Sequence, residues 1–214
     1  MDKDWKLIAF DCDGVLVDSL PQVKQLMDAH CEAKGLTWNQ VDMFRSDPIH
    51  YIRERDYCVN EFMVGFETLY RNAQIHHAVF DIVKRLRVQR EQTHVVAITA
   101  NETHIVRNRL ESADMARFFH DIYGDQSIDF SGRSFPGALK SQKAKQLDVV
   151  MNRIGACPEQ CCLIGDSTSD MHSAREAGAV GIGAAWGFQA YEDLADVANV
   201  VAREPTELAG LLGI

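Results

Sequence analysis

The acidic residues of this chain stand where apolar runs stop. Leu7-Ile8-Ala9-Phe10 leads directly into Asp11-Cys12-Asp13-Gly14-Val15-Leu16-Val17-Asp18-Ser19, and Leu163-Ile164 breaks into Gly165-Asp166-Ser167-Thr168-Ser169-Asp170. Two carboxylates one residue apart on an extended backbone point to the same side. In parallel α/β sheets, ligands gather beyond the carboxyl ends of the strands. Asp11 and Asp13 at such a strand end therefore call for a divalent cation as their third party. A plain acidic turn capping a helix that begins near Leu20 would account for Asp18 and Ser19, both good N-cap residues, but not for the Asp pair behind a buried strand.

Two further groups could meet an anion. Val95-Val96-Ala97-Ile98 runs into Thr99-Ala100-Asn101, which puts a hydroxyl and its following backbone at a strand end, although a Thr there is also a common helix cap. Lys140, Lys143 and Lys145 cluster at the entrance to a helix, where a solvated basic patch is the ordinary alternative.

Asp11 to Ser19 closely resembles the first motif of the haloacid-dehalogenase-like superfamily, and Gly165-Asp166-Ser167-Thr168-Ser169-Asp170 resembles its Gly-Asp-x-x-x-Asp motif. Most members are phosphatases that pass through an aspartyl-phosphate. The resemblance, to the phosphoglycolate phosphatase and β-phosphoglucomutase-like group with a helical cap, covers about residues 7 to 18 and 78 to 187. It implies Asp11 as nucleophile and Asp13 as general acid and base. Mg2+ would be bound by Asp11, the Asp13 backbone carbonyl and Asp166, with Asp170 holding the lysine and loop in place behind it. Thr99, with the backbone of Ala100 and Asn101, would bind the phosphoryl oxygens. The phosphate-neutralising lysine is ambiguous: the Lys-Pro pair of many relatives is absent, and the spacing from Lys143 to Leu147 favours Lys143 over Lys140. The expected activity is hydrolysis of a small phosphorylated metabolite. A sugar-phosphate mutase, or a regulator that binds a phosphorylated ligand without turnover, are the alternatives on the same fold.

The elements that must position these residues follow the same rhythm. Short apolar runs at Leu7 to Phe10, Val95 to Ile98, Cys161 to Ile164, Val180 to Ile182 and Val200-Val201 alternate with helical stretches at Thr103 to Ser112, Gln142 to Ile154, Ser169 to Ala177 and Ala190 to Asp196. This predicts a Rossmann-like, doubly wound parallel α/β sheet. The first two runs are too far apart for a simple crossover, so residues 1–19 and 78–214 are expected to form the core and residues 20–77 an inserted α-helical cap. Leu26, Met27, His30, Phe44, Ile52, Tyr57, Phe62, Phe66, Leu69 and Tyr70 supply apolar material for that insertion's own small core, and the core resumes with a helix from Ala78 to Arg87. Asp125 to Gly137 reads as a long loop.

Composition narrows the function classes. With 214 residues and 46% apolar content the chain can bury a full core. A net charge of −9 disfavours a general nucleic-acid binder and makes a cation more necessary for an anionic ligand. No apolar stretch approaches the roughly 20 residues of a membrane span, and the charged start lacks a signal-peptide layout. A cytoplasmic protein is expected. The six cysteines lack zinc-site spacing. Cys12 lies between the two acids, whose charge should hold back its thiolate. Gly178 to Gly183 follows a helix and enters a strand, the reverse of a dinucleotide-binding turn, and adjacent His76 and His77 face different ways.

Overall fold

The computed structural model describes residues 4–45, 48–125, 127–128 and 140–214. Six parallel strands form one sheet: β1 (Leu7–Asp11), β4 (His94–Glu102), β5 (Asp121–Asp125), β6 (Cys161–Gly165), β7 (Val180–Ala184) and β8 (Val200–Ala202), in the spatial order β5-β4-β1-β6-β7-β8. The chain leaves β1 toward one edge and later returns to its other side to build β6 to β8. The order therefore reverses between β1 and β6, which is where open α/β sheets leave a crevice at the strand ends. Asp11 and Asp166 stand at the two lips of that crevice.

Side-chain alternation along the strands explains the two-sided burial. Leu7, Ala9, Val96, Ile98, Cys161 and Leu163 face α7 (Gln142–Ile154) and α8 (Thr168–Glu176), where Ala144, Leu147, Val150, Met151 and Ala174 meet them. Ile8, Phe10, Val95, Ala97, Cys162 and Ile164 face the opposite layer, built from α5 (His77–Gln89), α6 (Thr103–Ser112) and the C-terminal α10 (Glu207–Leu212). Every residue of β1 is buried, as a central strand covered on both faces requires. The doubly wound α/β core expected from the sequence is present.

Two strand features depart from the sequence reading. β5 was not among the five apolar runs: Asp-Ile-Tyr-Gly-Asp offers only two large apolar side chains between acids, too few to stand out by pattern. It forms because its backbone completes the edge beside β4. β4 also continues past Ile98, so Thr99, Ala100 and Asn101 lie inside the strand, with a register shift between Ile98 and Glu102. The long loop expected from Asp125 to Gly137 falls almost wholly outside the described residues.

Between β2 (Val17–Asp18) and β3 (Gln74–Ile75), which pair antiparallel, the described chain forms α1 (Leu20–Lys34), α2 (Gln40–Arg45), α3 (Pro48–Glu54) and α4 (Val59–Tyr70). Pro21 opens α1 and Gly35, at φ 64°, closes it, the usual asymmetry of helix ends. Met27, Ile52, Phe62, Phe66 and Tyr70 are buried among these helices. Phe44 departs from the expected packing. It is half-buried, and its ring lies 4.5 Å from that of Phe188 in the core unit, so it faces outward across the cleft.

Candidate active site

Asp11 is the last residue of β1 and shares the strand face of Leu7 and Ala9, which directs its carboxylate toward α7. Lys143, in the first turn of that helix, meets it: Nζ lies 2.8 Å from Asp11 Oδ1 and 2.5 Å from Asp170 Oδ1. Ser141 starts α7 by accepting a hydrogen bond from the Ala144 N–H, which fixes the helix end carrying the lysine. Lys140 is committed elsewhere, paired with Asp148 at 2.6 Å. Of the two lysines the sequence left open, the structure brings Lys143 to Asp11.

The chain turns sharply after Asp11. Leu16 and Val17 both donate backbone hydrogen bonds to the Cys12 carbonyl, and Gly14 adopts φ +74°. Only a residue without Cβ fits there, because a methyl group on Gly14 would run into the Asp166 carboxylate. Gly187 meets the same carboxylate from the other side. Asp166 is thereby clamped between two glycines, and its Oδ2 accepts a hydrogen bond from the Phe188 N–H at 2.7 Å.

Asp13 turns away from this cluster. Its Oδ1 accepts from Ser19 Oγ at 2.8 Å, and its Oδ2 from Asn101 Nδ2 at 2.7 Å and more distantly from Thr99 Oγ1 at 3.4 Å. Ser19, which sequence reasoning offered as a helix cap, makes no side-chain cap bond to α1 and supports Asp13 instead. Thr99 is buried and accepts from the Asn101 N–H, while Ala100 beside it is exposed to the cleft. The Asn101 amide is thus spent on Asp13 rather than lining the cleft.

Asp170 has both oxygens occupied. Oδ1 pairs with Lys143, and Oδ2 accepts from Ser167 N–H and Oγ, at 3.2 and 2.6 Å, in a reciprocal capping box that starts α8. The helix cap of this motif is therefore Ser167, and Asp170 tethers the lysine.

Asp11, Asp166 and Asp170 are all buried, and each offers an oxygen within 4.8 Å of the other two, the one such acidic group among the described residues. Their electrostatics are unbalanced. Burial, and then repulsion from Asp170, push Asp11 up to about 8 despite Lys143. Burial and the charges of Asp11 and Asp170 hold Asp166 well above the usual carboxylate range. Burial also raises Asp13, partly offset by the hydrogen bonds from Ser19 and Asn101. For Lys143, burial works against the ammonium, but Asp11 and Asp170 outweigh it and keep it charged. One lysine does not neutralise three buried carboxylates, and a divalent cation on oxygen ligands fits the deficit. Cys12 is buried with its thiol pushed up by burial and by the flanking acids, which makes it a poor nucleophile.

The cleft over these groups holds about 440 Å³. Its floor is Asp11, Thr99, Lys143 and Asp166, and its far wall is Phe44, Arg45 and Pro48 from the helical insertion. Two contacts that sequence reasoning missed join the halves. Arg45 pairs with Asp193 at 2.6 Å. Buried Gln189 accepts from the Thr168 N–H through Oε1 and donates through Nε2 to the Phe44 carbonyl. Neither Gln189 nor Asp193 belongs to an acidic motif or a strong apolar pattern, so nothing local marked them.

The family model for haloacid dehalogenase-like hydrolases matches residues 5–178. A phosphoglycolate phosphatase of Aliivibrio fischeri is 25% identical, with 100% of this chain and 99% of that protein covered. Among solved structures, a haloacid dehalogenase-like family hydrolase from Streptococcus pneumoniae superposes with a TM-score of 0.73 at 23% identity over 97% of this chain and 98% of the other. A family hydrolase from Deinococcus radiodurans, solved with bound phosphate and sodium, gives 0.73 at 20% identity over 99% and 97%. The match extends from the first acidic motif through the second, and with the fold and the buried acid cluster it shows that this chain belongs to the haloacid dehalogenase-like hydrolases.

Proposed function

We propose that this phosphatase hydrolyses a small-molecule phosphomonoester through a covalent aspartyl-phosphate on Asp11, with Mg2+ as its cofactor. The observation that carries the reading is the placement of Lys143 between Asp11 and Asp170 beside a cation-poor cluster of buried carboxylates. Phosphoryl transfer asks a protein mainly for positioning and charge neutralisation, and this floor supplies both.

Asp11 and Asp166, with the backbone carbonyl of Asp13, would hold the cation. Asp170 is excluded from that set because Lys143 and Ser167 occupy its oxygens. When bound, the cation supplies charge neutralisation to the phosphoryl group and the carboxylates around it. An oxygen of Asp11 attacks phosphorus, and the P–O bond to the alcohol breaks. The departing oxygen takes its proton from the Asp13 carboxyl, which burial pushes above the ordinary carboxylate range. Asp13, now a carboxylate, accepts a proton from water as the water oxygen attacks phosphorus and releases Asp11. Lys143 and the Thr99 hydroxyl, with the Ala100 N–H, hold the non-bridging oxygens.

The helical insertion would serve as a cap, opening on its β2–β3 ribbon to admit substrate and closing to exclude bulk water. Its wall residues Phe44, Arg45 and Pro48 are then the side of the site that selects among substrates. Because several relatives carry the name phosphoglycolate phosphatase, phosphoglycolate is the first ester to try. No described helix is long and apolar enough to cross a membrane, which accords with a diffusible metabolite as substrate in the cytoplasm.

The test is phosphate release from a panel of phosphorylated metabolites, with Mg2+ and with EDTA. The wild type releases phosphate from a few of them only with the metal, and Asp11→Asn lowers the rate at least about 10³-fold while still folding. Release by Asp11→Asn at the wild-type rate would remove the covalent mechanism.

A further inference from the structure

A second cavity, of about 370 Å³, opens where the end of the insertion meets the core. Glu67 on α4 and Arg71 just beyond that helix form one wall, and Ile105, Asn108, Arg109 and Ser112 on α6 form the other. None of these residues lines the cleft over the acids, and no step above uses them.

Arg109 is half-buried, and its head is fixed by two bonds to uncharged oxygens: Nε donates to the Ala73 carbonyl at 2.7 Å and Nη1 to Ser112 Oγ at 3.0 Å. Nη2 makes no bond, and no carboxylate pairs with this guanidinium among the described residues. A partly desolvated cation without a counter-charge favours an anion beside it, and a planar fork already held in place loses little freedom on binding one. Arg71 is exposed and reaches the same cavity with only a 3.4 Å contact to Glu67. The Asn108 amide beside them has no partner among the described residues. In a chain of net charge −9, two cations and an amide donor on one cavity set a local field against that of the whole. Glu67 is the one acid on these walls. Its contacts to Arg71 and to His104 Nε2, at 3.4 and 3.7 Å, both fall on Oε1, which leaves Oε2 as an acceptor. An acceptor set among donors selects an anion that carries a proton of its own.

We propose that this cavity is a binding site for a hydroxyl-bearing oxyanion of the phosphate class. Arg71 and Arg109 take the charged oxygens, Asn108 donates to one of them, and Glu67 accepts from the hydroxyl. Hydrogen phosphate and a polyol phosphate share that chemistry. Sulfate has the same charge near neutral pH but no hydroxyl to offer. The site needs neither the acid cluster nor a metal, so it stands apart from the reaction proposed above.

The test is a titration of the full chain with inorganic phosphate, glycerol phosphate and sulfate, followed by heteronuclear NMR of the Asn108 side-chain amide. EDTA is present throughout, because the acid cluster without a cation repels anions, and chloride holds the ionic strength constant. Phosphate or glycerol phosphate shifts the Asn108 amide saturably with a Kd of about 1–10 mM, and the tighter of the two names the source. Sulfate binds at least about fivefold more weakly than the tighter ligand, and Glu67→Gln brings the two to within about twofold. Arg109→Gln weakens binding at least about tenfold, and Arg71→Gln, at an exposed position that leaves folding intact, at least about threefold. No saturable shift at Asn108, the same shift with chloride, sulfate as tight as the better phosphate ligand in the wild type, or unchanged affinity in Arg71→Gln would each overturn the proposal.

Discussion

Lys143 Nζ lies 2.8 Å from Asp11 Oδ1, the aspartate buried and the lysine half-buried. The lysine comes from the start of a helix and the aspartate from the end of the central strand, so the pair ties the layer of α7 to the carboxyl end of the sheet. The same ammonium holds Asp170 at 2.5 Å. One cation thus spans the two acidic motifs, whose residues Asp11 and Asp170 stand 159 positions apart in the chain.

Removing that cation leaves buried carboxylates without their partner. Lys143→Ala is expected to lose at least about 10²-fold in kcat, since charge neutralisation at the phosphoryl group is lost. It is also expected to lose about 3–5 kcal/mol of stability in metal-free buffer, the usual cost of breaking a buried pair from one side. Added Mg2+ should restore part of the stability but not the activity. Lys140→Ala, which breaks the half-buried pair with Asp148, should leave kcat within about threefold. Steady-state kinetics and urea titrations of the two variants decide it, and a reversed ranking would transfer the phosphate-binding role to Lys140.

Gly14 stands at φ +74° against Asp166, so Gly14→Ala combines a left-handed backbone with a collision. The backbone strain alone is about 1–2 kcal/mol, and the displaced carboxylate is one that would hold Mg2+. The expected result is a drop in Tm together with at least about a tenfold weaker Mg2+ dependence of activity. A Mg2+ titration of the initial rate provides the check. Unchanged metal dependence would show that Asp166 holds no metal.

Far from the cleft, His94 and His120 stack with ring centroids 4.1 Å apart. His120 Nδ1 accepts from the Val95 N–H, and Nε2 faces the Arg87 guanidinium. Burial, reinforced by His120 and Arg153, holds His94 down to about 4, and burial with Arg87 holds His120 below its ordinary value. An unfolded histidine takes its proton near pH 6.5. Between about 6.5 and 4 the unfolded chain therefore binds more protons than the folded one, and stability falls as pH falls through that window. Both rings are partly exposed, which moderates the effect. His94→Gln should show a shallower loss of Tm between pH 7 and pH 5 than the wild type, read by thermal melts across that range. Parallel curves would show that the pair does not contribute.

How much of the site could be read from the chain depended on where each residue's partners lie. Asp11, Asp13, Asp166 and Asp170 were legible because they lie in two short segments that begin where apolar, buried strands end. Alternation alone would have put Asp11 and Asp13 on one side, but the chain turns after Asp11, and Asp13 bonds to Ser19 and Asn101 instead. The β-α rhythm likewise determined the doubly wound sheet. It did not reveal β5, whose strand state comes from pairing with β4 rather than from its own composition. Lys143 and Lys140 differ by three positions at a helix start, and local pattern cannot choose between them. The choice is made by the capped entry of α7, which aims one side chain at Asp11 and the other at Asp148.

The remaining assignments are tertiary throughout. Ser19 serves Asp13 instead of its own helix, Phe44 leaves the insertion's core to face Phe188, and Gln189 links the Phe44 carbonyl to the start of α8. Each is a polar or aromatic side chain whose role is set by a neighbour 6 to 145 positions away. The sequence by itself determined which strands end in carboxylates, because burial and alternation are local properties of a few residues. Only the tertiary structure decided which oxygens remain open for a cation, because that depends on how hydrogen bonds from distant elements are shared among four crowded acids.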